Sequence, residues 1–432
     1  VIYKGKESHA GARLADLDRD GDMDIVSIAW NDFEFLHVWR NDAILDNWHG
    51  RSNPIPLGFG GDGDYRYYLP LTISTEEQEF ANKIVEIKID LESYEKEIND
   101  FRTIDAGSLR VFETNEEGEI IDETVVYQYE RDPDNARLGK VVFMVKGLLV
   151  KSNQRFFRIM MGAEGGYFIN PVFTKLVDFD NHILHQDQLS YQVKTPGGTY
   201  LYHRNGAGFA SMIDPEGNDW ISYRPGGGSA GEYRGIPNIR PAGFHPGYEN
   251  LNSRIVQSGP IKLTFESETK DEKWSCLWEV YPDFATMTLQ KKDRGNYWLL
   301  YEGTPAGKLD VDRDYWVQSN GFRRPVSSDW TGILPDPEWV WFADESCKRV
   351  LYFAKHEHDQ HPDQFWQMQG NMTVFGFGRK PHEDPGTYME EVPVHLTIGF
   401  AESKDYNEIK NIIRAAIQKP MINIGKLQKL IL

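Results

Sequence analysis

The chain is 432 residues long, 40% hydrophobic and 13% aromatic, and its 66 acidic against 47 basic residues give a formal charge of −19. That length exceeds one small core and provides for two or three domains, the aromatic load favours strands and sugar-stacking surfaces, and the acidic field opposes nucleic acid and anionic membranes as partners. No apolar run reaches the ~18–20 residues of a membrane span, and the two cysteines, Cys276 and Cys347, lack metal-ligand spacing, so they read either as one disulfide of an exported protein or as two buried thiols.

In chain order, the first signal is acidic. Asp16, Asp18, Asp20, Asp22 and Asp24 fall at alternate positions around Gly21. Alternate carboxylates with a glycine turn are the spacing of an oxygen-ligand loop for Ca²⁺, and so many crowded carboxylates repel one another unless a cation sits among them. The following run, Ile25-Val26-Ser27-Ile28, has a strand pattern and not the helix an EF-hand requires. The run from Ala15 through Asp16, Asp18, Asp20, Gly21 and Asp24 to Ile25 and Val26 resembles the FG-GAP or VCBS repeat of β-propeller blades, in one copy over about residues 9–43. The resemblance implies a structural Ca²⁺ and a secreted or periplasmic setting.

Residues 54–67 read as a linker. Strand patterns then recur at 67–73, 84–89, 109–113, 124–129, 140–145 and 155–161, separated by turn signals such as Asp132-Pro133-Asp134-Asn135. This is the spacing of a small antiparallel β-sandwich. From Tyr167 the strands grow longer and more aromatic, at 188–194, 199–203, 261–268, 274–281, 286–291, 297–301, 339–342, 349–355, 372–377 and 392–400, with no helical period between them. Two stacked sheets would hold that array. One helix is expected near the end, with Asp405 and Glu408 as a capping box, Ile409, Ile412, Ile413, Ala416 and Ile417 on one face, and Pro420 as its stop. The expected fold is all-β: a small antiparallel β-sandwich, then a large antiparallel β super-sandwich, with one C-terminal helix. The expected division is the repeat at 1–53, an accessory sandwich at 54–166 and a catalytic sandwich at 167–432.

Residues 226–247, GGGSAGEYRGIPNIRPAGFHPG, break this pattern. A run so dense in glycine and proline is expected to form neither a regular helix nor a central strand. Yet it carries Glu232, Tyr233, Arg234, Asn238, Arg240 and His245, with His203, Arg204 and Arg224 just upstream. Together they form a basic island in an acidic chain, and arginine forks pair bidentately with carboxylate or sulfate. β-Elimination on a uronate needs its carboxylate neutralised, the adjacent proton withdrawn and the leaving oxygen protonated. Arg234 and Asn238 offer the first, and Tyr233 and His245 the base and acid, with His203 as a further catalytic candidate. Arg204, Arg224, Arg240, Glu232 and Trp366 are the candidates for substrate binding.

This residue set, on a large antiparallel sandwich behind a smaller β module, resembles secreted polysaccharide lyases built on a mutarotase-like super-sandwich. The resemblance implies β-elimination on a uronate-containing polysaccharide. Two alternatives stand beside it. One is a glycoside hydrolase using two carboxylates about 5–10 Å apart, drawn from Glu232, Glu249, Glu302 and Asp219. The other is a non-enzymatic glycan-binding or adhesion protein. Finally, His356 and His358 would share a side if the strand through Lys355 continues, forming a candidate site for Zn²⁺ or another second divalent metal, with His361 or Asp363 as third ligand.

Chelation of the wild type, or Asp20→Ala, is expected to lower the melting temperature. A melt that neither treatment moves would remove a stabilising Ca²⁺ from the acidic loop.

Overall fold

The structure, a computed structural model, describes the backbone of residues 9–15, 24–29 and 36–39 and, from 64 to 430, all residues except 76–78, 99–101, 169–170, 381–382 and 385. Asp16, Asp18, Asp20 and Asp22, and the side chain of Asp24, lie outside the described residues. His9–Ala15, Asp24–Ala29 and Leu36–Trp39 form a three-stranded antiparallel sheet, so a strand does follow the acidic loop.

Strict alternation builds the small sandwich. Along Tyr65–Ser74, Tyr67, Leu69, Leu71 and Ile73 are buried on one face, and Val85, Ile87 and Ile89 of Phe80–Asp90 bury against the same core. Period-two patterning of this kind fixes both sheet and register. Two features depart from expectation. A short helix, Leu91–Ile98, makes the C-terminal helix one of two among the described residues. The chain also returns at its end: Met421–Ile424 and Gln428–Lys429 pair antiparallel with Tyr65–Ser74. The last strands thus belong to the sheet of the small sandwich, although they follow the large one in sequence.

The large sandwich has two nine-stranded antiparallel sheets. The first runs Asp178–His185, Gln188–Thr195, Gly198–His203, Gly208–Ile213, Gly235–Arg240, Trp298–Gly303, Thr373–Phe377, Asp363–Trp366, Trp330–Gly332. The second runs Leu251–Ser258, Leu263–Thr269, Ser275–Val280, Phe284–Lys291, Val394–Ala401, Val350–Lys355, Trp339–Ala343, Tyr315–Gln318, Arg323–Pro325. Between them lies an aromatic core that includes Tyr202, Phe209, Phe265, Trp278 and Phe375. The helix Tyr406–Ile417 is capped by Asp405, whose carboxylate accepts from the Asn407 and Glu408 amides at 2.9 and 3.0 Å. It buries Ile409 and Ile413 against Trp339, Trp341 and Tyr352 on the outer face of the second sheet. Cys276 and Cys347 are buried, unpaired thiols.

One expectation is overturned at the glycine-rich run: Gly235–Arg240 is a central strand of the first sheet. Its register against Trp298–Gly303 shifts between Gly235 and Asn238, so Pro237 falls in an irregular stretch. A residue without an amide donor is tolerated there, because the ladder is already interrupted.

A buried charge cluster joins the two sandwiches. Lys262, 1% exposed, places Nζ 2.7 Å from Glu86, 3.1 Å from Glu130 and 2.7 Å from Glu279. Glu86 and Glu130 come from the small sandwich, and Lys262 and Glu279 from the large one. Burial works against the Glu86 charge, but Lys262 and Lys140 outweigh it and take its pKa down to about 2. Gln128 adds a backbone clamp, accepting from the amides of Ile261 and Lys262 at 3.2 and 2.9 Å. Removing one partner of a buried ionic cluster strands the others and costs about 3–5 kcal/mol. Lys262→Ala is therefore expected to lower the denaturant midpoint strongly in equilibrium unfolding. A midpoint within error of wild type would show that the junction does not depend on this cation.

Candidate active site

The site grows from the outer face of the first sheet. Along Trp298–Gly303, Leu299 and Tyr301 point into the core between the sheets. Alternation therefore sends Trp298, Leu300 and Glu302 outward. Val374 is the cross-strand partner of Glu302 and shares its face. Leu300, Met372 and Val374, with Trp298, Trp366 and Met368 around them, form an apolar patch on that face. Glu302 is the carboxylate at its end.

The glycine-rich run supplies the opposite partner. After Gly235–Arg240 the chain turns back, and His245 and Pro246 lie over the strands they have just left. A side chain at Gly208 or Gly235 would collide with the Pro246 ring, so only glycine permits this approach. The fold-back brings His245 Nε2 to 3.2 Å from Glu302 Oε2, both groups being almost fully buried. His245 Nδ1 is 2.7 Å from the Pro246 carbonyl, which can only accept, so Nδ1 carries a proton. Asn238 Nδ2 donates to the same Glu302 oxygen at 3.0 Å, and Trp298 Nε1 donates to Asn238 Oδ1 at 3.4 Å, which fixes the orientation of the amide. Burial alone would lower the His245 pKa, but the hydrogen bond and charge of Glu302 outweigh it and hold the pKa above the ordinary histidine value. The contact with Glu302 thus favours the imidazolium form of His245.

Above it opens a cavity of about 290 Å³ lined by Glu232, Tyr233, Asn238, His245, Tyr248, Glu302, Trp366, Met368, Val374 and Arg379. Tyr233 and Tyr248 are about half exposed and form the rim. The Arg379 guanidinium lies 5.0 Å from the Trp298 ring and 5.7 Å from that of Trp366. Burial lowers its pKa, opposed by the charge of Glu302, and its buried Nη1 has no hydrogen-bond partner among the described residues.

The structure thus gathers five of the sequence candidates, Glu232, Tyr233, Asn238, His245 and Trp366, around one cavity. The others sit elsewhere. Arg234 is buried and donates to the backbone carbonyls of Ser229 and Asn371 at 3.2 and 2.8 Å, which ties down the run's first half. Arg224 donates to the Ala230 carbonyl at 3.1 Å. Arg204 stacks on Tyr191 at 5.0 Å, and Arg240 on Trp298 at 5.5 Å. His203 is fully buried behind the loop, where Nδ1 accepts from the Gly247 amide at 3.1 Å and Nε2 meets His185 Nδ1 at 3.1 Å. Burial first, then His185 and His245, push its pKa down to about 3, so it is neutral.

His356 and His358 do not converge. The strand Val350–Lys355 ends before them, so alternation no longer sets their directions. His356 Nε2 bonds Thr397 Oγ1 at 2.8 Å, whereas His358 Nδ1 bonds Glu338 Oε1 at 2.9 Å. Among the described residues, no three His, Cys, Asp or Glu side chains gather as metal ligands. Sequence reasoning missed Arg379, and placed Glu302 only among the carboxylates of the hydrolase alternative. The available signal was a lone Glu in the otherwise apolar strand Trp298–Gly303.

No family model matches the chain, and no curated protein matches it in sequence. Among solved structures it is similar to HI1317, at 13% identity and a TM-score of 0.38, over 54% of this chain and 98% of that one. It is also similar to a protein in the glycosyl hydrolase family 38 from Enterococcus faecalis, at 8% identity and a TM-score of 0.46, over 83% of this chain and 47% of that one. The chain thus spans about half the length of the second.

The raised His245 pKa fixes a pH dependence. A group whose folded pKa lies above its unfolded value stabilises fully below the unfolded value, about 6.5 for histidine, and loses that contribution as pH rises through the folded pKa. The difference in unfolding free energy between wild type and His245→Asn is expected to shrink as pH climbs above about 6.5. Urea unfolding at a series of pH values checks this. A difference that grows with pH would mean that the imidazole is not held charged.

Proposed function

We propose that this cavity carries out general acid–base chemistry on a carboxylate-bearing saccharide, as a polysaccharide lyase acting by β-elimination. The observation that carries the reading is the buried His245–Glu302 pair on a cavity floor beside Arg379, a cation whose buried N–H has no partner among the described residues. Such an N–H is costly unless a ligand oxygen meets it, and a uronate carboxylate supplies that oxygen. Its charge, once paired with the guanidinium, no longer opposes loss of the neighbouring proton.

In this reading Tyr233 is the general base, and its oxygen removes the proton from the carbon next to the carboxylate. The electron pair forms the new carbon–carbon double bond, and the β carbon–oxygen bond breaks. His245 delivers a proton to the departing oxygen from Nε2, and Glu302 favours the imidazole's reprotonation. Trp366 and Tyr248 give the sugar ring apolar faces. The reading includes a structural Ca²⁺ at the acidic loop and a secreted or periplasmic location. Hydrolysis is the second reading, because Glu232 and Glu302 both line the cavity.

Products discriminate the two. Alginate, pectate and glucuronan should be screened for both ultraviolet absorbance and new reducing ends. Elimination yields an unsaturated sugar that absorbs, and hydrolysis yields reducing ends without absorbance. Tyr233→Phe and Glu302→Gln are each expected to lower kcat by about 10²–10⁴-fold with the fold retained. Arg379→Ala should raise KM for the acidic polymer. Absorbing product formed at the wild-type rate by Tyr233→Phe would remove the tyrosine from the mechanism, and reducing ends without absorbance would replace elimination by hydrolysis.

A further inference from the structure

A second cleft, of about 500 Å³, is lined by Gln318, Arg324, Trp330, Ile333, His358 and Gln360, among others. It lies on the other side of the same sheet edge. Trp330 pairs across strands with Phe365, which points into the core between the sheets. Its sequence neighbour Trp366 therefore points the opposite way, into the candidate active site. Two paired strands at this edge thus serve two separate cavities, Trp330–Gly332 the second cleft and Asp363–Trp366 the candidate active site.

This cleft combines unsatisfied donors with apolar side chains. Gln318 is 3% exposed, and its amide nitrogen has no hydrogen-bond partner among the described residues. The buried Nε of Arg324 is equally without one. The Arg324 guanidinium is held by aromatic rings, 5.4 Å from Trp330, 5.8 Å from Trp316 and 4.6 Å from Phe322. His358 is braced from behind by Glu338, which is 1% exposed and lies 2.6 Å from Lys355 Nζ. Its second ring nitrogen is 2.9 Å from Gln360 Nε2. Trp330 and the half-exposed Ile333 line the same cleft beside these polar groups. Among the described residues, Asp336 is the one carboxylate lining the cleft.

Two buried N–H groups at fixed positions call for acceptor oxygens, and a flat indole beside an exposed aliphatic side chain calls for the face of a ring. A bare anion would use Arg324 and leave Trp330 and Ile333 uncovered. A neutral apolar ligand would leave Gln318 and Arg324 unsatisfied, at about 1–3 kcal/mol each. We propose that this cleft is a second, non-catalytic saccharide site that takes a carboxylate-bearing sugar unit, with Arg324 and Gln318 donating to its oxygens and Trp330 stacking on its ring. The inference rests on the cleft's own groups and does not require the reaction proposed for the other cavity.

The test uses the full chain carrying Glu302→Gln, so that no probe is consumed, in calorimetric titrations with trimers of galacturonate, glucuronate and mannuronate and with a neutral galactose trimer. At least one uronate trimer should bind, and added Arg324→Ala should weaken that binding about tenfold or more, as expected for a lost charge-assisted hydrogen bond. Ile333→Asp, a surface change that should leave the melting temperature unaltered, is expected to weaken it comparably. Arg379→Ala should leave this component in place. Four results would overturn the proposal: no uronate trimer binds; binding is indifferent to both Arg324→Ala and Ile333→Asp; all binding is lost with Arg379→Ala; or the neutral trimer binds as tightly. Failure of the elimination reading appears instead in the product assays and leaves these titrations intact.

Discussion

The contact on which the candidate site depends is the buried ion pair between His245 and Glu302. Taking both charges out of water is costly, and the pair persists only where geometry and further hydrogen bonds compensate. Those supports come from different parts of the chain. Asn238, itself anchored by Trp298, satisfies one Glu302 oxygen. The Pro246 carbonyl takes the other imidazole proton. Two glycines, Gly208 and Gly235, let Pro246 press against the sheet. The density of glycine around 226–247 is therefore partly a packing requirement: one histidine has to be brought flat over a carboxylate that faces outward from a strand.

Precision at that spot requires a sheet that does not move. The first sheet is packed on its inner face by the second, and the second is covered in turn by the helix Tyr406–Ile417. The helix then hands the chain back to the small sandwich, where Met421–Ile424 extends the sheet of Tyr65–Ser74. The small and large sandwiches are thus tied twice, by backbone pairing after the helix and by the Lys262 cluster. The C-terminal helix is thus physically the connector between the two sandwiches.

Much of the fold was legible because the strands obey simple alternation. Tyr65–Ser74 and Phe80–Asp90 bury every second residue, and the run at Trp339–Ala343, buried on both faces, reads as continuous apolar sequence. The least legible strand was Gly235–Arg240, because glycine and proline argue against a central strand and only the register shift beside Pro237 makes room for one. The site was half legible for a related reason. A run of polar residues in an irregular segment marked Tyr233, Asn238 and His245, which do line the cavity. It also marked four arginines, and proximity in sequence could not reveal that Arg234 is absorbed by backbone carbonyls or that Arg204 and Arg240 lie on aromatic rings. The cation that does line the cavity, Arg379, is far downstream and reaches it through the sheet order, which a local reading does not contain.

The two histidines of this region show how neighbours, more than burial, set their roles. His203 and His245 are both buried, and burial alone would leave each neutral. His203 faces another imidazole and a backbone amide, neither of which rewards a positive charge, and its pKa falls to about 3. His245 faces a carboxylate and a carbonyl, which do, and its pKa rises. Environments that push like groups apart in this way separate their functions. His203, neutral across the accessible pH range, can only accept the Gly247 amide and so position the loop. His245, its charged form favoured by Glu302 and its ring in contact with the cavity, is the one that can carry a proton to a ligand. Exchanging the partners, and not the depth of burial, would exchange the roles.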